Sequence, residues 1–357
     1  MSSTRKFEVL RTVMAILIAL LISFGVIFLV SDDPLNAISW LLTGPLKSQR
    51  NFFNVVESMI PLIFTGTGVC IMFSANQINL ASEGAFHIGG LVSAVVALKL
   101  TLPAGISPVV AILLSACAGA LFTAIPAILK IKTSADELVS SLMINYLALY
   151  FSTFIMKYFL QDPAVGSASY PIPEASTLPT LIARTRVHPG IFVALAVAVL
   201  GYVFLYKTKI GYQLRLTGEN QQFAEYSGIS IVKVILISQL LGGFIAGMGG
   251  GIELLSPIYD RFSWTSLLGY GWDAIIICTL AKKNPLYTPL SAFFLAYLRT
   301  GASIMARYSD VSLEIVQIIQ GVVILFIVAQ QFLSRYKHKM IAREAKAALK
   351  EEEEEVG

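Results

Sequence analysis

Charge is what this sequence has least of: Asp, Glu, Lys and Arg make up 13% of its 357 residues, against 56% hydrophobic residues and a mean hydropathy of +0.73. A soluble domain carries roughly a quarter charged residues, so the composition excludes a large water-exposed globule and points to an integral membrane protein. Cysteine is scarce as well. Cys70, Cys117 and Cys278 all fall inside apolar runs, which excludes a disulfide framework or a cysteine-rich metal site and leaves them as small packing residues. His87, His188 and His338 stand far apart without His-Glu-x-x-His spacing, and no Ser/His/Asp constellation accompanies them. The sequence also lacks a Gly-x-x-x-x-Gly-Lys-Ser/Thr phosphate loop, so the chain cannot by itself bind and hydrolyse ATP in the usual way. An enzyme, a resident cofactor or metal, and a nucleic-acid partner are therefore not expected.

Acidic relays are missing too. Ion-coupled carriers keep costly carboxylates along a span, whereas here Glu57, Glu83, Glu137, Asp273 and Glu314 fall at or near span ends, with Arg299 inside one. That weighs against a secondary carrier, and the energy for any transport has to come from elsewhere.

What is present is a succession of apolar runs, each close to the roughly 20 residues that cross a bilayer core as a helix. Spans are expected at 12–30, 55–74, 84–101, 108–129, 138–160, 187–206, 231–251, 266–281, 286–306 and 313–333. This is an all-α polytopic membrane protein of about ten transmembrane helices. With the N-terminus inside, most of the 26 Lys and Arg fall on the cytoplasmic side, among them Lys130, Lys132, Lys207, Lys209, Arg215, Lys282 and Lys283. The positive-inside rule then puts both termini in the cytoplasm. The first span, about 18 residues without a small-x-small cleavage site, is read as a retained anchor. Spans two to five and seven to ten start from opposite sides, as an inverted repeat would, with a pathway between the halves.

Residues 1–337 form the membrane domain, and the charged tail 338–357 ends in a run of glutamates expected to be solvated in the cytoplasm. The outer loop 161–186 carries Pro163, Pro171, Pro173 and Pro179, which exclude a continuous helix and stiffen the segment. It is either a cover over the outer mouth or a connector.

Polar breaks in apolar surroundings single out candidate residues. "FSANQINLASEGAFHIGG" (73–90) interrupts two runs with Asn76, Gln77, Asn79 and Glu83 but no Lys or Arg. Such a break suits a discontinuous helix bordering a cavity, or a tight interhelical turn. "ADELVSSLMINYLALY" (135–150) puts Asn145 and Tyr146 deep in a span, where an amide must bond to a neighbouring helix or to a polar solute. "LLGYGWDAIII" (267–277) sets Tyr270 and Trp272 beside Asp273; the rings could stack a planar ligand or belong to the interfacial aromatic belt. "QLLGGFIAGMGGGIELL" (239–255) places Gly243, Gly247 and Gly251 on one helical face, a packing seam.

A second kind of break is "GYQLRLTGENQQFAEYSGIS" (211–230). Asn220 is a favourable N-cap, "QQFAEYS" makes two turns, and Gly228 can take the left-handed conformation that ends them. Phe223 and Tyr226 share a face with Ala224 small beside them, an apolar knob suited to a partner's groove.

This stretch strongly resembles the cytoplasmic coupling helix of bacterial ABC-importer permeases in the branched sugar, amino-acid and nucleoside superfamily. "NLASEGAFHIGG" resembles that family's N-I-G-x-E-G element, "LMINYLALY" its M-x-N-Y segment and "GYGWDAIIICTLAKKNP" its G-x-G-x-D-x-I motif, with departures at "NLAS" and "WDAIIICTL". The loop ending "YPIPEASTLPTLIARTRVHPGI" looks like that of the longer nucleoside-type permease. The resemblance implies a multi-pass subunit of the bacterial cell membrane with a coupling segment over 207–230, in which Gly218, Glu219, Asn220, Phe223, Ala224, Glu225, Tyr226 and Gly228 meet an ATPase. It also implies partners: a cytoplasmic ABC ATPase holding ATP and Mg, a second and different permease, and an extracytoplasmic solute-binding lipoprotein. Nucleosides are the implied solute, with a pentose or hexose as the alternative.

Overall fold

Helix is the only regular structure among the described residues, as expected where no water is at hand to bond a stray backbone group. The computed structural model describes residues 21–22, 24–25, 27–29, 31–100, 102–312 and, singly, 315, 318 and 321. The expected anchor over 12–30, the last span over 313–333 and the acidic tail lie wholly or largely outside the described residues. The chain divides into two units, residues 1–44 with 301–357, and residues 45–300.

In the first unit α1 (Pro34–Thr43) starts where proline is tolerated and where Asp33 accepts from the Asn36 amide at 3.4 Å. Asp310 accepts from the Ser31 hydroxyl at 2.7 Å and from the Asp32 amide at 2.6 Å, so the turn before α1 is fastened to the chain after residue 308. Trp40 stacks on Tyr308 with ring centroids 4.7 Å apart, over a small core of Ile27, Ala37, Leu41, Ala302 and Met305.

The second unit holds α2 (Gln49–Ser74), α3 (Ser82–Lys99), α4 (Ile106–Thr133), α5 (Glu137–Ile155), α6 (Gly190–Lys207), α7 (Lys209–Glu219), α8 (Gln221–Tyr226), α9 (Ile231–Leu254) and α10 (Tyr270–Leu280); α11 (Thr288–Tyr308) starts here and carries the chain into the first unit. Among the described residues, five helices are long and apolar enough to cross a bilayer: α2, α4, α5 continued by a π-turn to Leu160, α6 and α9. The sequence expects a full span over 266–281, but α10 has only 11 residues, about 16 Å at 1.5 Å per residue. Its start is delayed to Tyr270 because Gly269 sits in the left-handed region at φ 85.

The glycine seam on α9 organises this unit. A Cβ on Gly68 of α2 would lie 2.6 Å from the Gly242 carbonyl oxygen, and one on Gly119 of α4 would lie 2.7 Å from Gly247 Cα. Gly89 of α3 likewise abuts Gly247. Three helices thus meet α9 backbone to backbone, the close approach that small residues permit where burial of apolar surface gives no driving force. Hydroxyls finish the seam: Ser115 donates to the Gly89 carbonyl at 2.7 Å and Thr123 to the Gln239 carbonyl at 2.8 Å. The three cysteines are free; Cys70 and Cys278 are buried together, while Cys117 is exposed.

Candidate functional site

Three of the polar stretches singled out in the sequence converge on residues 80–84, where the break between α2 and α3 ends. Asn145 of α5 acts as a two-pronged clamp: its carbonyl accepts from the Gly84 amide at 2.8 Å and its amide donates to the Leu80 carbonyl at 3.0 Å. Ser141, one turn earlier, accepts from the Leu80 amide at 3.1 Å. Glu83 reaches the third stretch. Its carboxylate accepts from the amides of Gly269 at 2.7 Å and of Gly271, two of the donors that the start of α10 would otherwise leave unpaired. Glycine is required at 271 because a Cβ there would lie 2.6 Å from Glu83 Cβ. Asp273, one turn into α10, forms a paired contact with Arg299, NH1 to Oδ2 at 2.5 Å and NH2 to Oδ1 at 2.7 Å.

The break itself spans residues 75–81. Asn76 adopts φ 55, a left-handed conformation that asparagine tolerates better than most. Gln77 and Asn79 point inward and are 3% and 0% exposed. Lys130 Nζ donates to Gln77 Oε1 and to Glu137 Oε2, both at 2.5 Å, and Asn79 Nδ2 donates to Gln239 Oε1 at 2.5 Å. Gln239 in turn donates to Glu137. Glu83, Asn145 and Asp273 are buried as well, whereas Asn76, Tyr146 and Trp272 are exposed. Tyr270 packs its ring on Phe86 with centroids 4.9 Å apart and points its hydroxyl at Glu253, 3.4 Å away. The structure therefore brings Asn76, Gln77, Asn79, Glu83, Asn145, Tyr270 and Asp273 into one neighbourhood, and turns Tyr146 and Trp272 to the surface.

Sequence reading missed the partners. Gln239 carried a usable signal, since a lone amide in an apolar span needs a bond just as Asn145 does, but it stood at the edge of the glycine run. Lys130 and Glu137 read as boundary charges in the sequence, and Arg299 stands inside the expected span 286–306 with no partner indicated by its neighbours. Glu253 was not singled out at all, although it is 2% exposed and its second oxygen has no hydrogen-bond partner among the described residues.

The segment between α6 and α9 takes the form expected of it. Thr208 opens α7 by accepting from the Gly211 amide at 3.1 Å, and Arg215 lies over the Tyr206 ring at 4.6 Å. Asn220 ends α7 and begins α8, donating its amide to the Leu216 carbonyl at 3.0 Å and accepting from the Phe223 amide at 3.0 Å. At the other end Gly228 has φ 80; its amide reaches the Glu225 carbonyl at 2.9 Å while that of Ile229 reaches the Ala224 carbonyl at 3.0 Å, the two bonds of a Schellman stop. Ala224 is fully buried, whereas Phe223 is 55% and Tyr226 91% exposed. Gly218, Glu219 and Glu225 complete the candidate coupling surface.

The proline-bearing loop 161–186 is stitched to the segment after α9. The amides of Ser169, Ile172 and Leu178 donate to the carbonyls of Phe262, Asp260 and Leu255 at 2.8–3.0 Å. Arg261 donates to Asp162 at 2.6 Å and to the Ser169 carbonyl at 3.0 Å. The Arg261 hydrogen bond beside it holds the Asp162 carboxyl below the usual carboxylate range.

Residues 51–328, which contain every motif just placed, match the family described as branched-chain amino acid transport system / permease component. The chain belongs to this permease family. Among its curated relatives are a glucose ABC transporter permease of Haloferax volcanii, 31% identical over 91% of this chain and 88% of that protein. A guanosine ABC transporter permease of Bacillus subtilis is 30% identical over 79% of this chain and 81% of that one. A nucleoside ABC transporter permease of Lactococcus lactis is 24% identical over 99% of both. The permease is thus a multi-pass membrane protein of a family of transport components rather than of enzymes.

Proposed function

We propose that this permease is the membrane subunit of an ATP-driven nucleoside importer. The observation that carries the reading is the nucleoside permease relative aligned over 99% of both chains, supported by the guanosine permease relative at 30% identity. In this reading the chain crosses the membrane ten times as an inverted repeat, with both termini in the cytoplasm, and pairs with a second, different permease. A cytoplasmic ABC ATPase holds ATP and Mg, and an extracytoplasmic lipoprotein delivers the solute.

The capped α8 supplies the point of attachment. Its exposed Phe223 and Tyr226 offer an apolar face to a groove, and its stops at Asn220 and Gly228 keep that face in one orientation. Closure of the ATPase pair pushes on α8, and the two halves rock to open the passage on alternate sides. The solute passes along the break near residues 76–83. Asn76, Tyr146 and Trp272 present exposed polar and aromatic surface to a base and its sugar, while the already paired Gln77, Asn79, Glu83, Asn145 and Asp273 hold that surface in place, with Tyr270 beside them.

A second reading, a permease for a pentose or hexose, is favoured by the Haloferax volcanii glucose permease relative. Uptake of labelled guanosine and of labelled glucose by cells lacking this gene separates the two. Lost nucleoside uptake supports the first reading; undiminished nucleoside uptake with lost sugar uptake supports the second.

A further inference from the structure

The segment that carries α8 touches the break at Gly218. α7 ends beside the C-terminus of α2, and Gly218 lies flat on it: a Cβ there would come within 2.9 Å of the Ser74 carbonyl carbon and 3.2 Å of the Asn76 amide nitrogen. These neighbours are backbone and cannot rotate away. Gly218 is not among the residues with positive φ, so close approach, and not a left-handed turn, is what calls for glycine. The helix that carries α8 therefore rests on the first residues of the break.

A seven-residue irregular segment is soft, and a push delivered to it would be absorbed by changes in its own backbone unless something held it. The structure supplies that hold through the side chains of Gln77 and Asn79. Lys130 of α4 spans Gln77 of the break and Glu137 of α5; Glu137 takes the amide of Gln239 of α9; Gln239 takes the amide of Asn79 of the break. The circuit returns to the segment it left. Asn79 uses its own carbonyl on the Ala81 amide at 2.6 Å, and Thr123 of α4 ties the Gln239 backbone at 2.8 Å. In this closed ring the bonds of Lys130 and Glu137 are charge-assisted, and Glu137, Gln239, Asn79 and Gln77 are buried while Lys130 is 31% exposed, so the ring is stiff and each bond strengthens its neighbours.

We propose that Lys130, Glu137 and Gln239 are positioning residues for transport, a clamp that fixes the break to α4, α5 and α9 so that a displacement entering at Gly218 moves those helices together. This rests on α8 being the ATPase docking helix. Lys130→Met, Glu137→Gln and Gln239→Leu, with the charge-swapped pair Lys130→Glu/Glu137→Lys, are compared in proteoliposomes holding the complete complex. ATP hydrolysis stays near the wild-type rate while guanosine uptake per ATP falls about tenfold or more in the single variants, each of which weakens or removes at least one hydrogen bond to a charged group, and recovers in part in the swapped pair.

A readout free of any solute is hydrogen exchange of residues 75–81 with and without ATP–vanadate trapping. Wild type keeps the segment equally protected in both states; the variants expose it on trapping while α2 and α9 stay protected. Exchange that does not change with trapping in the variants, or a loss of protection throughout the unit in every variant before trapping, overturns the clamp. A wild-type complex in which trapping alters exchange nowhere in the permease overturns the docking reading beneath it.

Discussion

Glu83 shows what a single side chain can do that a motif cannot announce. In the sequence it is one acid in a polar break; in the structure its carboxylate caps the start of α10, 186 residues away, through Gly269 and Gly271. Gly271→Ala forces a methyl group against Glu83, and overpacking of this kind costs about 1–3 kcal/mol, so the purified permease should unfold at lower temperature in a thermal scan. Asn145 was legible by half. That its amide needed a partner follows from its setting in an apolar run; that the partners are the backbone at Leu80 and Gly84 depends on contacts 61 to 65 residues apart, which no local pattern encodes. The Asp162–Arg261 tie has a definite pH signature. Because the folded carboxyl sits below its ordinary value, the tie contributes fully above the unfolded pKa of about 4 and is lost as pH falls through the lowered folded one. Proteolysis of residues 161–170 should be flat from neutral pH down to that range and rise only in stronger acid, whereas Arg261→Ala should raise it at neutral pH.

Helix caps and the glycine seam carry the element scale, and here the sequence spoke more clearly. Asn220, Gly228 and the two turns between them are local signals, and the structure has α8 over Gln221–Tyr226 with both stops formed. The seam on α9 was equally legible, since small residues recurring every four positions have one economical use in a membrane. The length of α10 was not: hydropathy sees an apolar run over 266–281 and cannot see that Glu83 and a left-handed Gly269 start the helix late. Asn220→Ala removes the α8 cap, which costs about 1 kcal/mol of helix stability. Gly228→Val forces a branched residue into φ 80. Both should uncouple uptake from ATP hydrolysis with membrane insertion intact, as measured by uptake per ATP in vesicles.

For the whole molecule, composition alone settled the class, because 13% charge and long apolar runs leave few alternatives to a multi-pass membrane protein. The pairing of break, seam and coupling segment was beyond composition, since it depends on which helices neighbour which. The central claim is that work done by a separate ATPase enters this bundle through α8. A photo-crosslinker at position 226, where the side chain is 91% exposed, tests it in inside-out vesicles holding the assembled transporter. Docking at α8 requires an adduct with the ATPase subunit whose yield changes between nucleotide-free and ATP–vanadate-trapped states. An adduct with no other chain in either state, or labelling of position 226 from the outer face, would contradict it.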